Sequence, residues 1–152
     1  MTPYVTWEVH RSIDDSRQFI LNHASEHYLQ AIPEPIAVCH RDDPADLIGM
    51  VGCTWAARAH QVMELGYWIA EPYWNRGYAT EAARTLVDWV FATYTVNRIQ
   101  AHHMVQNPAS GKVMEKLGMQ FEGTLRSAVF RHGQFSDVRY YSILREEWKT
   151  RK

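Results

Sequence analysis

Cysteine is scarce in this chain. Cys39 and Cys53 are the only two among 152 residues. They fall in separate expected strands without metal-ligand spacing, and both read as buried, reduced thiols. A surplus of charge is equally lacking: a formal net charge of −1 gives no overall electrostatic case for nucleic acid or an anionic membrane as partner. No apolar run approaches the length that spans a bilayer. The opening segment carries Glu8, Arg11, Asp14 and Asp15 where a signal peptide would be apolar, so the expected location is cytoplasmic. Repeats, low-complexity tracts and long linkers are missing too. One domain over residues 1–152 is expected, and 46% hydrophobic residues suffice for its core. His102 and His103 are adjacent and must point to opposite sides of a strand, which argues against a zinc pair, and no metal is expected.

What the chain does contain is a glycine-bearing junction between strand and helix. Leu65-Gly66-Tyr67-Trp68-Ile69 is short, aromatic and apolar, and Glu71-Pro72 ends it. Tyr73-Trp74-Asn75-Arg76-Gly77-Tyr78-Ala79-Thr80-Glu81-Ala82 follows, and then Ala82, Ala83, Leu86, Val87, Val90 and Phe91 recur at helical spacing. The helix therefore starts near Gly77. Its first turn leaves N–H groups unpaired and carries partial positive charge, so the amides around Asn75, Arg76, Gly77, Tyr78, Ala79 and Thr80 suit a pyrophosphate. No Gly-Lys-Ser/Thr follows the turn, and there is no Gly-x-Gly-x-x-Gly. Both nucleotide fingerprints drop out.

The remaining elements follow from periodicity and punctuation. Ser12 or Asp14 caps a helix running through about Gln30. Strands are expected over residues 36–40, 47–56, 62–69 and 98–105, and residues 119–130 and 135–144 form a closing hairpin. Asn107 is a good N-cap, Pro108 suits the first helical position and Gly118 suits the left-handed residue that ends a short helix. Trp89 is expected in the core. Arg126, Arg131 and His132 read as a solvated basic rim at the last hairpin.

The glycine junction and Asn107-Pro108-Ala109-Ser110-Gly111-Lys112-Val113-Met114-Glu115-Lys116-Leu117-Gly118-Met119-Gln120-Phe121-Glu122-Gly123 together resemble the two signature motifs of the GNAT superfamily of acetyl-CoA-dependent N-acetyltransferases. The tail, Gly133-Gln134-Phe135-Ser136-Asp137-Val138 and the Tyr140 to Trp148 segment, resembles the RimJ/RimL-like branch, which contains ribosomal-protein N-terminal acetyltransferases. The resemblance runs from about Thr6 to the end. It implies an α/β (α+β) GNAT fold, a mixed, mostly antiparallel sheet flanked by helices. The branch's usual first strand and first helix look absent. An unpaired sheet edge left by that deficit would invite association, for example as a homodimer.

The implied reaction is one-step transfer from acetyl-CoA, as cosubstrate, to a primary amine in a ternary complex. The acceptor is a protein N-terminus or a small-molecule amine. An alkyl ammonium titrates near about 10.4 and must lose a proton before it attacks. The developing oxyanion is best met by a backbone N–H around Tyr67, Trp68 and Ile69. Two glutamates compete for the base. Glu122 matches the position proposed in the branch, and Glu64, on the strand before the phosphate turn, matches a carboxylate that acts through water in other members. Each also reads as a solvated strand glutamate, and the balance tips slightly to Glu122. Ser110 matches the proposed acid for the departing thiolate, with helix capping as its other reading. Asn107 divides likewise between N-cap and pantetheine contact. The rival from another class is a non-catalytic acyl-CoA-binding or assembly module.

Overall fold

The computed structural model describes residues 10–29, 31–131 and 133–150. Ser12 accepts from the Asp15 N–H while the Asp15 carboxylate reaches back to the Ser12 N–H, and this capping box opens α1 (Ile13–Phe19). A π-helical stretch (Ile20–Ala24) joins it to α2 (Ser25–Leu29). The expected end of this helix at Gln30 and the rim histidine His132 lie outside the described residues. So does the opening segment on which the expected loss of a first strand and helix turns.

The strands are β1 (Ile36–His40), β2 (Asp43–Ala57), β3 (Val62–Ile69), β4 (Arg98–Met104), β5 (Gln120–Arg131) and β6 (Gln134–Leu144). They form a six-stranded sheet in the order β1-β2-β3-β4-β6-β5. Every pairing is antiparallel except β3 with β4. These two are parallel because α3 (Tyr78–Thr93) carries the chain back between them. α4 (Pro108–Leu117) links β4 to β5, and α5 (Arg145–Lys149) follows β6.

The helices α3 and α4 cover one face. Met63 and Leu65 of β3, Ile99 and Ala101 of β4, and Tyr141 and Ile143 of β6 are buried there against Leu86, Val87, Val90, Met114 and Leu117. Strand alternation sends Glu64, Trp68, Gln100, His102 and Tyr140 to the opposite face. Arg145 ties the C-terminal end of α3 to α5: its guanidinium donates to the carbonyls of Phe91 (2.5 Å), Tyr94 (2.6 Å) and Val96 (2.6 Å). A cation at those carbonyls also complements the helix dipole.

Two interior expectations need correction. Trp89 is 44% exposed, because the buried positions of α3 are Ala83, Leu86, Val87, Val90 and Phe91 and residue 89 falls off that stripe. Its ring meets Tyr94 edge-on at 5.7 Å instead. Cys39 is only half-buried on the outer strand β1, whereas Cys53 is buried, and desolvation followed by the nearby charges of Glu34 and Glu64 pushes its thiol well up. No helix among the described residues is long and apolar enough to cross a membrane.

Candidate active site

The parallel pairing of β3 with β4 is brief. It joins Val62, Met63 and Glu64 to Arg98, Ile99 and Gln100 and then stops. Beyond that point residues 65–69 remain paired to β2 on one side, and residues 101–104 to β6 on the other. The facing edges part, and the gap opens a cleft of about 770 Å³. Separated strands leave backbone N–H and C=O groups that an extended ligand can satisfy.

One end of the cleft is the start of α3. Gly77 has φ +90° and caps the helix without a side chain, a conformation that favours glycine. The N–H groups of Tyr78, Ala79 and Thr80 are therefore left to a ligand or to solvent. The loop that precedes them is held at several points. The Trp74 indole donates to the Ile69 carbonyl at 2.6 Å, the Tyr73 hydroxyl donates to Asp46 at 2.9 Å, and the Tyr78 hydroxyl lies 3.2 Å from His40 Nε2. The start of α4 faces the same space. Asn107 accepts from the Ser110 N–H at 3.4 Å, and Lys112 and Lys116 add positive charge along that wall.

Between the two ends, Tyr67 and Ser110 form a hydroxyl pair. Ser110 Oγ donates to the Tyr67 oxygen at 3.1 Å, and Tyr67 donates to the Ser110 carbonyl at 2.8 Å. Burial pushes the Tyr67 hydroxyl well above the ordinary phenol range, against the pull of the Ser110 bond and with help from Tyr141. It stays protonated and able to donate.

The other end is acidic. Glu64, 29% exposed, lines it with Glu34 and Thr54. Gln100 Nε2 donates to Glu64 Oε2 at 2.8 Å, and His102 Nδ1 stands 3.1 Å from Oε1. Burial alone raises the Glu64 carboxyl. The hydrogen bonds from His102 and Gln100 and the charge on His102 outweigh it, so the group titrates below the ordinary carboxylate range and is ionised at neutral pH.

Of the residues singled out from sequence, Glu64, Tyr67, Trp68, Ile69, Asn75, Gly77, Tyr78, Ala79, Thr80, Asn107 and Ser110 all line this one cleft. Arg76 does not: it is exposed and its guanidinium sits 5.9 Å from the centre of the Tyr73 ring. Glu122 is outside as well. It lies on β5, an outer strand, at a bulge between Phe121 and Gly123. Arg98 grips both its oxygens, and Ser142 Oγ donates to Oε1 at 2.8 Å. Hydrogen bonding to Arg98, against the opposing effect of burial and with help from Ser142, holds this carboxyl below its ordinary range.

Glu122→Gln is expected to leave turnover within about twofold and to act on stability. A carboxyl with a lowered folded-state pKa stabilises above its unfolded value near about 4.3 and loses that contribution as pH falls through the folded one. The variant's denaturation midpoint should therefore approach that of the wild type in acid, which urea titrations at several pH values will check.

His102 also lines the cleft, which its sequence does not signal: next to His103 it suggests only a zinc pair, and among the described residues no cluster of three or more metal-type ligands occurs. The parity that separates the two histidines places His102 on the Glu64 face. His103 is buried on the other side, Nδ1 2.8 Å from the Met104 carbonyl and the ring where a Cβ on Gly111 would stand.

Known proteins are related to this chain in sequence and in fold. The family described as Acetyltransferase (GNAT) domain matches residues 1–120. The uncharacterized N-acetyltransferase YoaA of Bacillus subtilis is 34% identical over 105 residues, 69% of this chain and 59% of its own length. YdaF of the same organism, provisionally named a ribosomal N-acetyltransferase, is 33% identical over 106 residues, 70% of this chain and 58% of its own. The chain thus spans a little under three fifths of these relatives. Among solved structures, a GNAT-family acetyltransferase from Bacillus anthracis superposes with a TM-score of 0.80 at 28% identity, covering 95% of this chain and 81% of the other. The spermidine N-acetyltransferase of Vibrio cholerae, in complex with CoA and spermine, shares the fold with a TM-score of 0.79 at 23% identity, covering 96% and 83%.

Proposed function

This chain belongs to the acetyltransferase (GNAT) domain family, and on that premise we propose that it transfers an acetyl group from acetyl-CoA to a primary amine by direct attack. The observation that carries the reading is the polarity of the cleft. A glycine-capped helix start with Lys112 and Lys116 forms one end, and Glu34 and Glu64 form the other. The basic end suits a diphosphate through the amides of Tyr78, Ala79 and Thr80. The acidic end attracts an ammonium. An acyl thioester lying between them runs along the open edges of β3 and β4, where a free N–H from residues 67–69 meets the developing oxyanion. Asn107 lies beside the same path.

The acceptor ammonium gives up its proton at the Glu64 end and its nitrogen lone pair attacks the thioester carbon. The carbon–sulfur bond breaks, the hydroxyl pair of Ser110 and Tyr67 is placed to protonate the thiolate, and the second proton shed by the amide nitrogen restores that pair. No acyl-enzyme is required. Within this reading Glu64 replaces Glu122 as the carboxylate that serves the acceptor. The tail motifs support membership of the RimJ/RimL-like branch. The acceptor is a protein N-terminal α-amine or a small-molecule amine, a choice supported by relatives named for ribosomal and for spermidine N-acetylation.

The test is thiol release from acetyl-CoA with a panel of N-terminal peptides, polyamines and other primary amines. The reading requires acceptor-dependent release. Binding of acetyl-CoA without any release above background would favour a non-catalytic acyl-CoA-binding module, and no binding at all would contradict both.

A further inference from the structure

The acidic end of the cleft holds a second group able to accept a proton, and its setting differs from that of a surface histidine. His102 and Glu64 come from the two strands that separate there. Glu64 sits opposite Gln100 at the last paired position, and His102 lies two residues beyond it on β4. The carboxylate cannot turn freely, because Gln100 donates to one oxygen at 2.8 Å and His102 Nδ1 stands 3.1 Å from the other. The imidazole is fixed as well. The Tyr140 ring stacks on it with centroids 5.1 Å apart and planes 25° from parallel. Its Nδ1 atom is buried, yet the side chain is 25% exposed and lines the cleft. The nitrogen presented to the cleft is then Nε2.

Building on the acetyl-transfer reading, we propose that His102 Nε2 takes the proton from the acceptor amine, and that Glu64 acts through it by orienting the ring and stabilising its charged form. A carboxylate 3.1 Å from Nδ1 favours the tautomer that carries its proton on Nδ1, which leaves the lone pair on Nε2. The balance closes. The ammonium gives one proton to Nε2, its nitrogen bonds to the thioester carbon, the carbon–sulfur bond breaks and the thiolate takes a proton from the hydroxyl pair, the second proton shed by the amide nitrogen restores that pair, and the imidazolium returns its proton to water. Glu64 by itself is the weaker acceptor, since Gln100 donates to one oxygen and His102 Nδ1 stands against the other, whereas Nε2 faces the cleft. Among the described residues, the titratable groups that share this end of the cleft with the ring are Glu64 from β3, Tyr140 from β6 and Glu34 from the segment before β1. His102 is thus the catalytic residue and Glu64 its positioning partner.

The experiment compares wild type, His102→Gln and His102→Ala for acetyl-CoA affinity by calorimetry and for kcat/KM of an active amine across pH. His102→Gln should lower kcat about 10²-fold with acetyl-CoA affinity unchanged, and its profile should lose the step that belongs to the imidazole. Added imidazole should restore part of the His102→Ala rate. A His102→Gln enzyme with the wild-type profile and kcat within about threefold would overturn the assignment and return the proton to Glu64 through water. So would full loss of rate without imidazole rescue in a variant that still binds acetyl-CoA. Absence of turnover in the wild type would overturn the transfer reading itself, and this inference with it.

Discussion

Glu64→Gln should lower kcat for any acceptor by about 10³-fold while leaving acetyl-CoA affinity within about twofold. The effect exceeds that of removing His102 because two functions go at once. The amide no longer attracts the incoming ammonium, and it no longer stabilises an imidazolium 3.1 Å away. In the His102 variants the carboxylate survives and can still direct a water. The affinity is spared because Glu64 stands at the last β3–β4 pair, away from the start of α3 that is proposed to take the diphosphate. Steady-state kinetics paired with calorimetry separates the two quantities. A Glu64→Gln enzyme that keeps full kcat would remove this residue from the chemistry.

Ala79→Glu is the second large effect, and it falls on binding. A carboxylate in the first turn of α3 would occupy the amides offered to the diphosphate and repel its charge. A loss of about 2–3 kcal/mol is expected, or roughly 30–150-fold in the Kd for acetyl-CoA. An acidic residue in a first helical turn stabilises the helix itself. The thermal midpoint should therefore hold or rise while affinity falls. That opposition separates a blocked anion site from simple unfolding, and a parallel fall in both would refute the assignment of this turn.

The features that were legible in sequence are those with local causes. β3 runs over Val62–Ile69 as its alternation predicts, and α4 begins and ends at Asn107 and Gly118, whose capping chemistry is explicit. The hairpin of β5 and β6 falls within a residue of expectation. β2 is longer, beginning at Asp43, because the polar turn after β1 keeps pairing as far as His40 with Asp43. α5 was unforeseen. It has only five residues, and its cap, Glu147 accepting from the Leu144 N–H at 2.9 Å, lies inside the helix.

The site divides along the same line. The glycine turn before α3 and the Asn107 to Ser110 segment could be read from glycine and capping residues, and they converge on one cleft. The choice between Glu64 and Glu122 could not be read, since it depends on which strands become neighbours. Arg98 reaches Glu122 only because β4, β6 and β5 are consecutive in the sheet, and His102 reaches Glu64 only because β3 and β4 are parallel. Both facts belong to topology, which alternation along a single strand does not contain.

The most direct test of the central claim is a crystal structure of the full chain with acetyl-CoA bound. The account predicts diphosphate oxygens within hydrogen-bond distance of the Tyr78, Ala79 and Thr80 amides, and the thioester between the parted edges of β3 and β4 with Glu64 and His102 beyond it. A coenzyme bound elsewhere, or strands 65–69 and 101–104 found paired to each other with the cleft closed, would contradict it.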